Sequence, residues 1–142
     1  MTVILDDHLL RDWLARRDQP LQDAVGRDVV ATTNLWYVRL CRSAARATGG
    51  PRLVGLSPVD RSALIAGLVA MPDDIVVAPM ARLAWRMGDL AAEHDGLSAL
   101  GAEAVAAAIE LDARLLVSSR DNGPGTRRCC TILGIGHEAL AR

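Results

Sequence analysis

Short β-type runs alternate with helical patterns along the chain, and this alternation limits the fold more than any other sequence feature. A β-branched and apolar run at Thr2–Leu5 ends in two aspartates, after which leucine and tryptophan recur at helical spacing. Consecutive strands that are each followed by a helix lie parallel in one sheet, because the helices form the crossover connections. We therefore expect an α/β fold, a three-layer α/β/α sandwich around a central parallel sheet.

The remaining elements repeat this order. Further strands are predicted over residues 28–32, 74–77 and 114–118. Helices are predicted from residue 9 to 14, from residue 35 onward, and over residues 59–71, Met80–Glu93, 98–111 and 126–133. Residues 48–58, rich in Gly and Pro, predict a loop, and residues 121–125 predict a turn.

Size and charge exclude several classes of protein. A chain of 142 residues with 51% apolar residues predicts a single domain over residues 1–142 with a core that needs no disulfide or metal. The net charge of −1 argues against a strongly basic nucleic-acid domain, so any RNA contact is expected to be local. No window is apolar for long enough to span a membrane, and the expectation is a cytoplasmic protein without a membrane contact.

Acidic side chains stand where the predicted strands end. In a parallel α/β sheet, ligands bind beyond the carboxyl ends of the strands. Asp6 and Asp7 follow the first strand, and Asp121 follows the fourth. Carboxylates gathered at such an edge are ligands that Mg²⁺ or Mn²⁺ prefers. The alternative interpretation is that Asp6 and Asp7 cap the first helix and that Asp121 forms an Asx turn, both common uses of aspartate.

Three segments resemble a known family. They are VILDDHLL from Val3, VATTNLWYVRL from Val30, and the stretch from His94 to Gly123 that contains the Ala-rich helix. Their order and spacing resemble the PIN-domain ribonucleases, in particular the compact toxins of VapBC toxin–antitoxin pairs. The resemblance implies a central parallel sheet and four acids that hold Mg²⁺ or Mn²⁺, which activates water for phosphodiester hydrolysis.

The resemblance assigns roles to individual residues. It places metal ligands at Asp6 and Asp121, with Asp7 in reserve, and catalytic roles at Asp6, Asp121 and, as a poor substitute, Glu103. Two family acids are replaced, one by Arg39 and one by Gly101. Glu103 lies two residues from Gly101, about 200° around the helix, and should face elsewhere.

Arg39 changes the chemistry expected of this site. A guanidinium there is expected to pair with Asp6 or Asp121 and to compete with a divalent ion. It could instead bind an RNA phosphate. The strand-end residues Thr33, Asn34 and Ser119 are further candidates for substrate contacts.

Two hypotheses follow. The favoured one is a non-catalytic PIN-like module with a degenerate metal site, which binds protein or RNA and needs no cofactor. The alternative is an active Mg²⁺- or Mn²⁺-dependent endoribonuclease. The helices that begin near Val59 and Met80 carry more apolar side chains than one sheet face needs, which predicts a homodimer. The family resemblance adds an antitoxin-like protein partner to the expected partners.

Overall fold

The computed structural model describes residues 1–46 and 50–142 and contains one five-stranded sheet in those ranges. The strands are β1 (Thr2–Leu5), β2 (Val29–Thr32), β3 (Val76–Val77), β4 (Ala113–Ser118) and β5 (His137–Leu140). Their order across the sheet is β3-β2-β1-β4-β5, and every neighbouring pair is parallel. With helices packed on both faces, this is the expected three-layer α/β/α arrangement.

Seven α-helices connect these strands within the described ranges. They are α1 (Asp7–Ala15), α2 (Gln19–Val25), α3 (Asn34–Ala45), α4 (Pro58–Val69), α5 (Met80–Glu93), α6 (Ala99–Glu110) and α7 (Pro124–Leu133), with a 3₁₀ turn at Pro51–Leu53. Asp6 caps α1 and Thr33 caps α3, each accepting a hydrogen bond from a backbone N–H in the first helical turn. Both caps stand directly after a strand, so the residues that start helices also form the carboxyl edge of the sheet.

The predicted elements agree with the structure except at two places. The first strand and the helix at Met80–Glu93 have the predicted bounds, and the other predicted strands and helices differ by a few residues at their ends. Helix α2 and strand β5 were not predicted. Of the loop predicted over residues 48–58, residues 48 and 49 lie outside the described ranges, and α4 already begins at Pro58.

The core has two parts, one on each face of the sheet. Strand β1 shows the division, because Ile4 packs among the alanines of α6 while Val3 and Leu5 pack against the leucines of α1 and α3. Alanines at residues 102, 104 and 106–108 are all buried, and their small side chains let α6 lie close to the sheet. None of the helices in the described ranges is long and apolar enough to cross a membrane.

Candidate functional site

Strands β1 and β4 are neighbours, and this brings the segments that follow them together. Leu5 pairs in register with Leu116 of β4 and with Thr32 of β2, so the three strands end at nearly the same level. The side chains of Asp6, Asp7 and Asp121 therefore meet at one edge, as the sequence predicts.

Asp6 is buried and fully engaged by backbone groups. Its Oδ1 accepts a hydrogen bond from Leu9 N at 2.9 Å, and its Oδ2 accepts one from Ser118 N at 2.7 Å. Burial raises the pKa of Asp6 to about 7, although both hydrogen bonds act to lower it. Asp6 therefore joins the start of α1 to the end of β4. Of the two partners expected for Arg39, Asp6 and Asp121, the structure confirms Asp121 and not Asp6.

Asp7 receives the arginines instead. This fully buried carboxylate accepts two hydrogen bonds from Arg39, Nε to Oδ2 and Nη2 to Oδ1, each at 2.7 Å. Arg52, in the 3₁₀ turn, donates Nε to the same Oδ2 at 2.8 Å. Burial alone would raise the pKa of Asp7, but the hydrogen bonds and charges of Arg39 and Arg52 outweigh it, and the pKa lies below its usual value.

Asp121 lies on the other side of Arg39. Nη2 of Arg39 also donates to Asp121 Oδ2, so a single guanidinium bridges two carboxylates. The backbone of Asp121 forms the turn after β4, where its N–H donates to Ser118 O at 3.1 Å. The hydrogen bonds to Asp7, opposed only partly by burial, raise the pKa of Arg39 above its usual value, so the bridge is ionic.

Asp7, His8 and Asp121 form a group that could hold a metal ion, and we call it the acid cluster. One ligand atom from each residue lies within 4.8 Å of the other two. Burial, together with the charge of Arg52, lowers the pKa of His8, so its imidazole is neutral near pH 7 and able to ligate. Both carboxylates are already neutralised by arginine, so a divalent ion would have to displace Arg39 before it could bind them.

Glu103 has a different partner. This fully buried side chain accepts hydrogen bonds from Asn34 N and Leu35 N, both at 2.7 Å, at the first turn of α3. Asn34 Nδ2 also donates to Glu103 at 2.8 Å and to Ala78 O at 2.8 Å. A carboxylate at a helix N-terminus is favoured by the exposed N–H groups and by the helix dipole. Glu103 thus fixes α3, the helix that carries Arg39.

Position 101 is closely packed, and a larger side chain there would require its neighbours to move. A Cβ built on Gly101 would overlap Thr126 Oγ1 of α7 and would lie 3.0 Å from Leu97 Cδ1. Gly101 N also donates to Ser98 Oγ at 3.1 Å, which holds the start of α6 in place. Close packing between α6 and α7 therefore occupies the space at this position.

The three residues predicted to contact a substrate form hydrogen bonds within the protein. Thr33 Oγ1 accepts a hydrogen bond from Trp36 N at 3.2 Å as the cap of α3, and Asn34 binds Glu103 as described. Ser119 Oγ accepts one from Arg142 N at 3.2 Å, near the end of the chain. Their role toward a substrate stays a prediction.

Sequence reasoning missed the part that Arg52 plays. In the sequence, Arg39 recurs with Arg42 and Arg46 at helical spacing, and nothing marks Arg52 beyond its positive charge. In the structure, both Arg39 and Arg52 bind Asp7. Arg52 lies 45 residues from Asp7 in a Gly- and Pro-rich segment without periodicity, so no local pattern indicates the pairing.

Comparison with known proteins adds no assignment. No protein-family model matches the chain, and no curated protein matches it significantly.

Proposed function

We propose that the protein is a PIN-like module that acts by binding and does not hydrolyse RNA. The observation that carries the proposal is the bridge from Arg39 to both Asp7 and Asp121. The five-stranded parallel sheet and the position of the acids at its carboxyl edge support a relationship to the PIN domains. RNA is the ligand we favour, and an antitoxin-like protein partner stays a prediction.

Charge balance is the physical reason. Mg²⁺ and Mn²⁺ bind where anionic oxygens outnumber nearby cations. Here Asp7 and Asp121 face two guanidinium groups, and the hydrogen bonds from Arg39 to Asp7 have the paired, charge-assisted geometry that makes such contacts strong. Removing Arg39 from this position would leave a buried carboxylate with Arg52 alone. The folded edge therefore favours arginine over a divalent ion.

Calorimetric titration with Mn²⁺ tests this proposal. The wild type should show no saturable binding, and Arg39→Glu, which replaces the bridging cation with a third carboxylate, should gain it. Arg42→Glu is the matched control, because Arg42 is exposed on the same helix and the variant makes the same change in charge. Arg39→Gln repeats the test without the added carboxylate, and circular dichroism confirms that each variant is folded.

The second candidate is a Mg²⁺- or Mn²⁺-dependent endoribonuclease. The acid cluster favours it, because Asp7, His8 and Asp121 supply ligand atoms within 4.8 Å of one another. In that case the metal would displace Arg39 and supply an activated water. Saturable Mn²⁺ binding by the wild type, lost in Asp121→Asn and accompanied by RNA cleavage, would overturn the first proposal in favour of this one.

We also propose that the chain forms a homodimer through α5. Trp85 is 89% exposed at the centre of one face of this helix, and a shallow depression beside it is lined by Ala84 and Gly88. Arg82, which is 71% exposed, lies one turn before Trp85 on this face, and Asp89 lies one turn after it. Two copies of α5 packed antiparallel would place each Arg82 opposite the other copy's Asp89.

Charge reversal tests the dimer. Arg82→Glu and Asp89→Arg should each weaken self-association in analytical ultracentrifugation, and the double variant should restore it, since every pair is again of opposite charge. Monomer masses for all four proteins at every concentration would overturn the dimer, and equal dimer masses would overturn the contact between Arg82 and Asp89.

A further inference from the structure

A cavity with a basic wall lies beside the acid cluster. Its volume is about 260 Å³, and its lining includes His8, Arg11, Arg16, Arg120 and Arg142, which we call the basic pocket. Three of these residues come from α1 or the segment that follows it, and the other two follow β4 and β5. The pocket is therefore assembled by the fold from distant parts of the chain.

Positive charge is in excess around this pocket. The buried carboxylate of Asp12 lies 2.7 Å from Arg11 Nη2, 3.6 Å from Arg16 Nη2 and 3.2 Å from Arg142 Nε. Asp18 pairs with Arg142 at 3.0 Å. Three of the four guanidinium groups therefore contact two carboxylate side chains, and the fourth, of Arg120, contacts neither. At the acid cluster, two guanidinium groups contact two carboxylates.

Several donors of the basic pocket have no strong protein partner. Arg16 is 41% exposed, and its 3.6 Å contact with Asp12 is too long for a hydrogen bond. Arg120 donates Nε to Arg142 O at 3.1 Å, and its two Nη groups find no acceptor among residues 1–46 and 50–142. Arg142 differs, because its guanidinium is held by ion pairs with Asp12 and Asp18. Arg16 and the Nη groups of Arg120 therefore supply the cavity with unused hydrogen-bond donors.

We propose that the basic pocket binds a phosphate group, supplied either by single-stranded RNA or by a small nucleotide. Guanidinium groups match phosphate oxygens in geometry and charge. The cavity is smaller than the roughly 300–1,000 Å³ of pockets that enclose drug-sized ligands, so it suits a phosphate with part of its ester rather than a whole nucleotide.

The position of the pocket relates it to the proposed function. His8 follows Asp7 and Arg120 precedes Asp121, so a phosphate held here lies next to the acid cluster. The choice of RNA as one source of the phosphate rests on the proposed binding function. Recognition of the phosphate itself is independent of that function, because it uses neither Asp7 nor Asp121 and needs no metal.

Binding should be measured with the full chain in EDTA. An affinity tag belongs at the exposed N-terminus, because Arg142 lines the pocket. The probes are inorganic phosphate, AMP, and one single-stranded RNA hexamer with and without a 5′-phosphate, at an ionic strength held constant with NaCl. We expect saturable binding of phosphate to the wild type and tighter binding of at least one of the nucleotide probes.

Paired variants locate the site. Arg16→Gln with Arg120→Gln should weaken binding about ten- to hundredfold, since each removes a charge-assisted hydrogen bond. For an RNA probe, the same double variant should reduce the slope of log affinity against log salt by about two. Arg61→Gln with Arg86→Gln is the matched control, because both arginines are exposed on other helices, and it should change the affinity less than about twofold.

The outcomes separate the sources. If both hexamers bind equally, the pocket holds an internal phosphodiester. If only AMP and the phosphorylated hexamer bind, the pocket holds a terminal phosphate. Either result supports the proposed phosphate site. Failure of every probe to saturate, or equal affinity in the pocket double variant and the wild type, would overturn it. Metal-dependent RNA cleavage would contradict the proposed function. It would leave the phosphate-binding result unchanged, because that binding is measured in EDTA.

Discussion

The acid cluster and the basic pocket both contain His8, and arginine has a different role in each of them. In the acid cluster, Arg39 and Arg52 are matched by Asp7 and Asp121, and their side chains are 30% and 21% exposed. In the basic pocket, Arg11, Arg16 and Arg142 share Asp12 and Asp18, and Arg120 contacts neither of them. Arg16 is 41% exposed, whereas Arg11 and Arg142 are 13% and 14% exposed. We infer that the contacts of each guanidinium decide its role: those bonded closely to Asp7, Asp12 or Asp121 stabilise the fold, whereas Arg16 and the Nη groups of Arg120, which lack a close acceptor in the described part of the chain, are the ones left for a ligand.

Asp6 offers the sharpest contrast, because it is an edge carboxylate with no arginine partner. Its pKa is raised from the usual 3.8 to about 7, so the folded protein retains a proton there that the unfolded chain loses above pH 4. The contribution of Asp6 to the free energy of unfolding should therefore fall as the pH rises from 4 to 7, by on the order of 4 kcal/mol.

Urea unfolding of wild type and Asp6→Asn at several pH values measures this effect. The lowered pKa values of His8 and His137 act in the opposite direction, and they cancel in the difference between the two proteins. The wild type should lose stability relative to Asp6→Asn as the pH rises. Asp23→Asn, at an exposed site, is the control, and a pH-independent difference for Asp6→Asn would contradict the prediction.

Asp7→Asn breaks the match of charges in the acid cluster. It leaves Arg39 and Arg52 partly buried with one carboxylate fewer, and the expected loss of unfolding free energy is about 3 kcal/mol. Asp121→Asn should cost less, because Asp121 is 36% exposed and, within residues 1–46 and 50–142, its carboxylate pairs with one arginine, Arg39. Urea unfolding at pH 7 compares the two variants, and an equal loss in both would show that burial of Asp7 does not matter.

Gly101→Ala tests whether the acid cluster could be extended toward α6. The added Cβ overlaps Thr126 Oγ1, and the expected cost of overpacking is about 2 kcal/mol in unfolding free energy. Adding Thr126→Ala should return most of that loss, since it removes the overlapping atom. If Gly101→Ala is as stable as the wild type, the absence of an acid at this position has no steric reason.

Arg16→Gln should have the smallest effect on stability. Its long, exposed contact with Asp12 predicts a change within about 0.5 kcal/mol, whereas Arg39→Gln should cost roughly 2 kcal/mol. Thermal unfolding of both variants checks the difference. A large loss for Arg16→Gln would mean that the basic pocket is held together as tightly as the acid cluster, and the comparison would fail.

The sequence predicted the parts of the fold that have strong local signals. Strand β1 and helix α5 have the predicted bounds because apolar periodicity and flanking polar residues mark them. Helix α2 was missed although Asp18 caps it and Pro20 lies in its first turn, since only two of its side chains are buried. Strand β5 has no buried residue, and it forms only by pairing with β4.

What the sequence determined by itself is that acids follow the first and fourth strands and that a cation stands on α3. Tertiary structure decided which acid meets that cation. Asp6 does not bind Arg39, because its carboxylate accepts a hydrogen bond from Ser118 N, 112 residues away in sequence. Arg52 binds Asp7 from a segment that has no regular sequence pattern. Local sequence patterns determine the helix or strand to which a side chain is attached. What the side chain binds depends on burial and on competition among distant hydrogen-bond partners, and both arise only after the strands have paired.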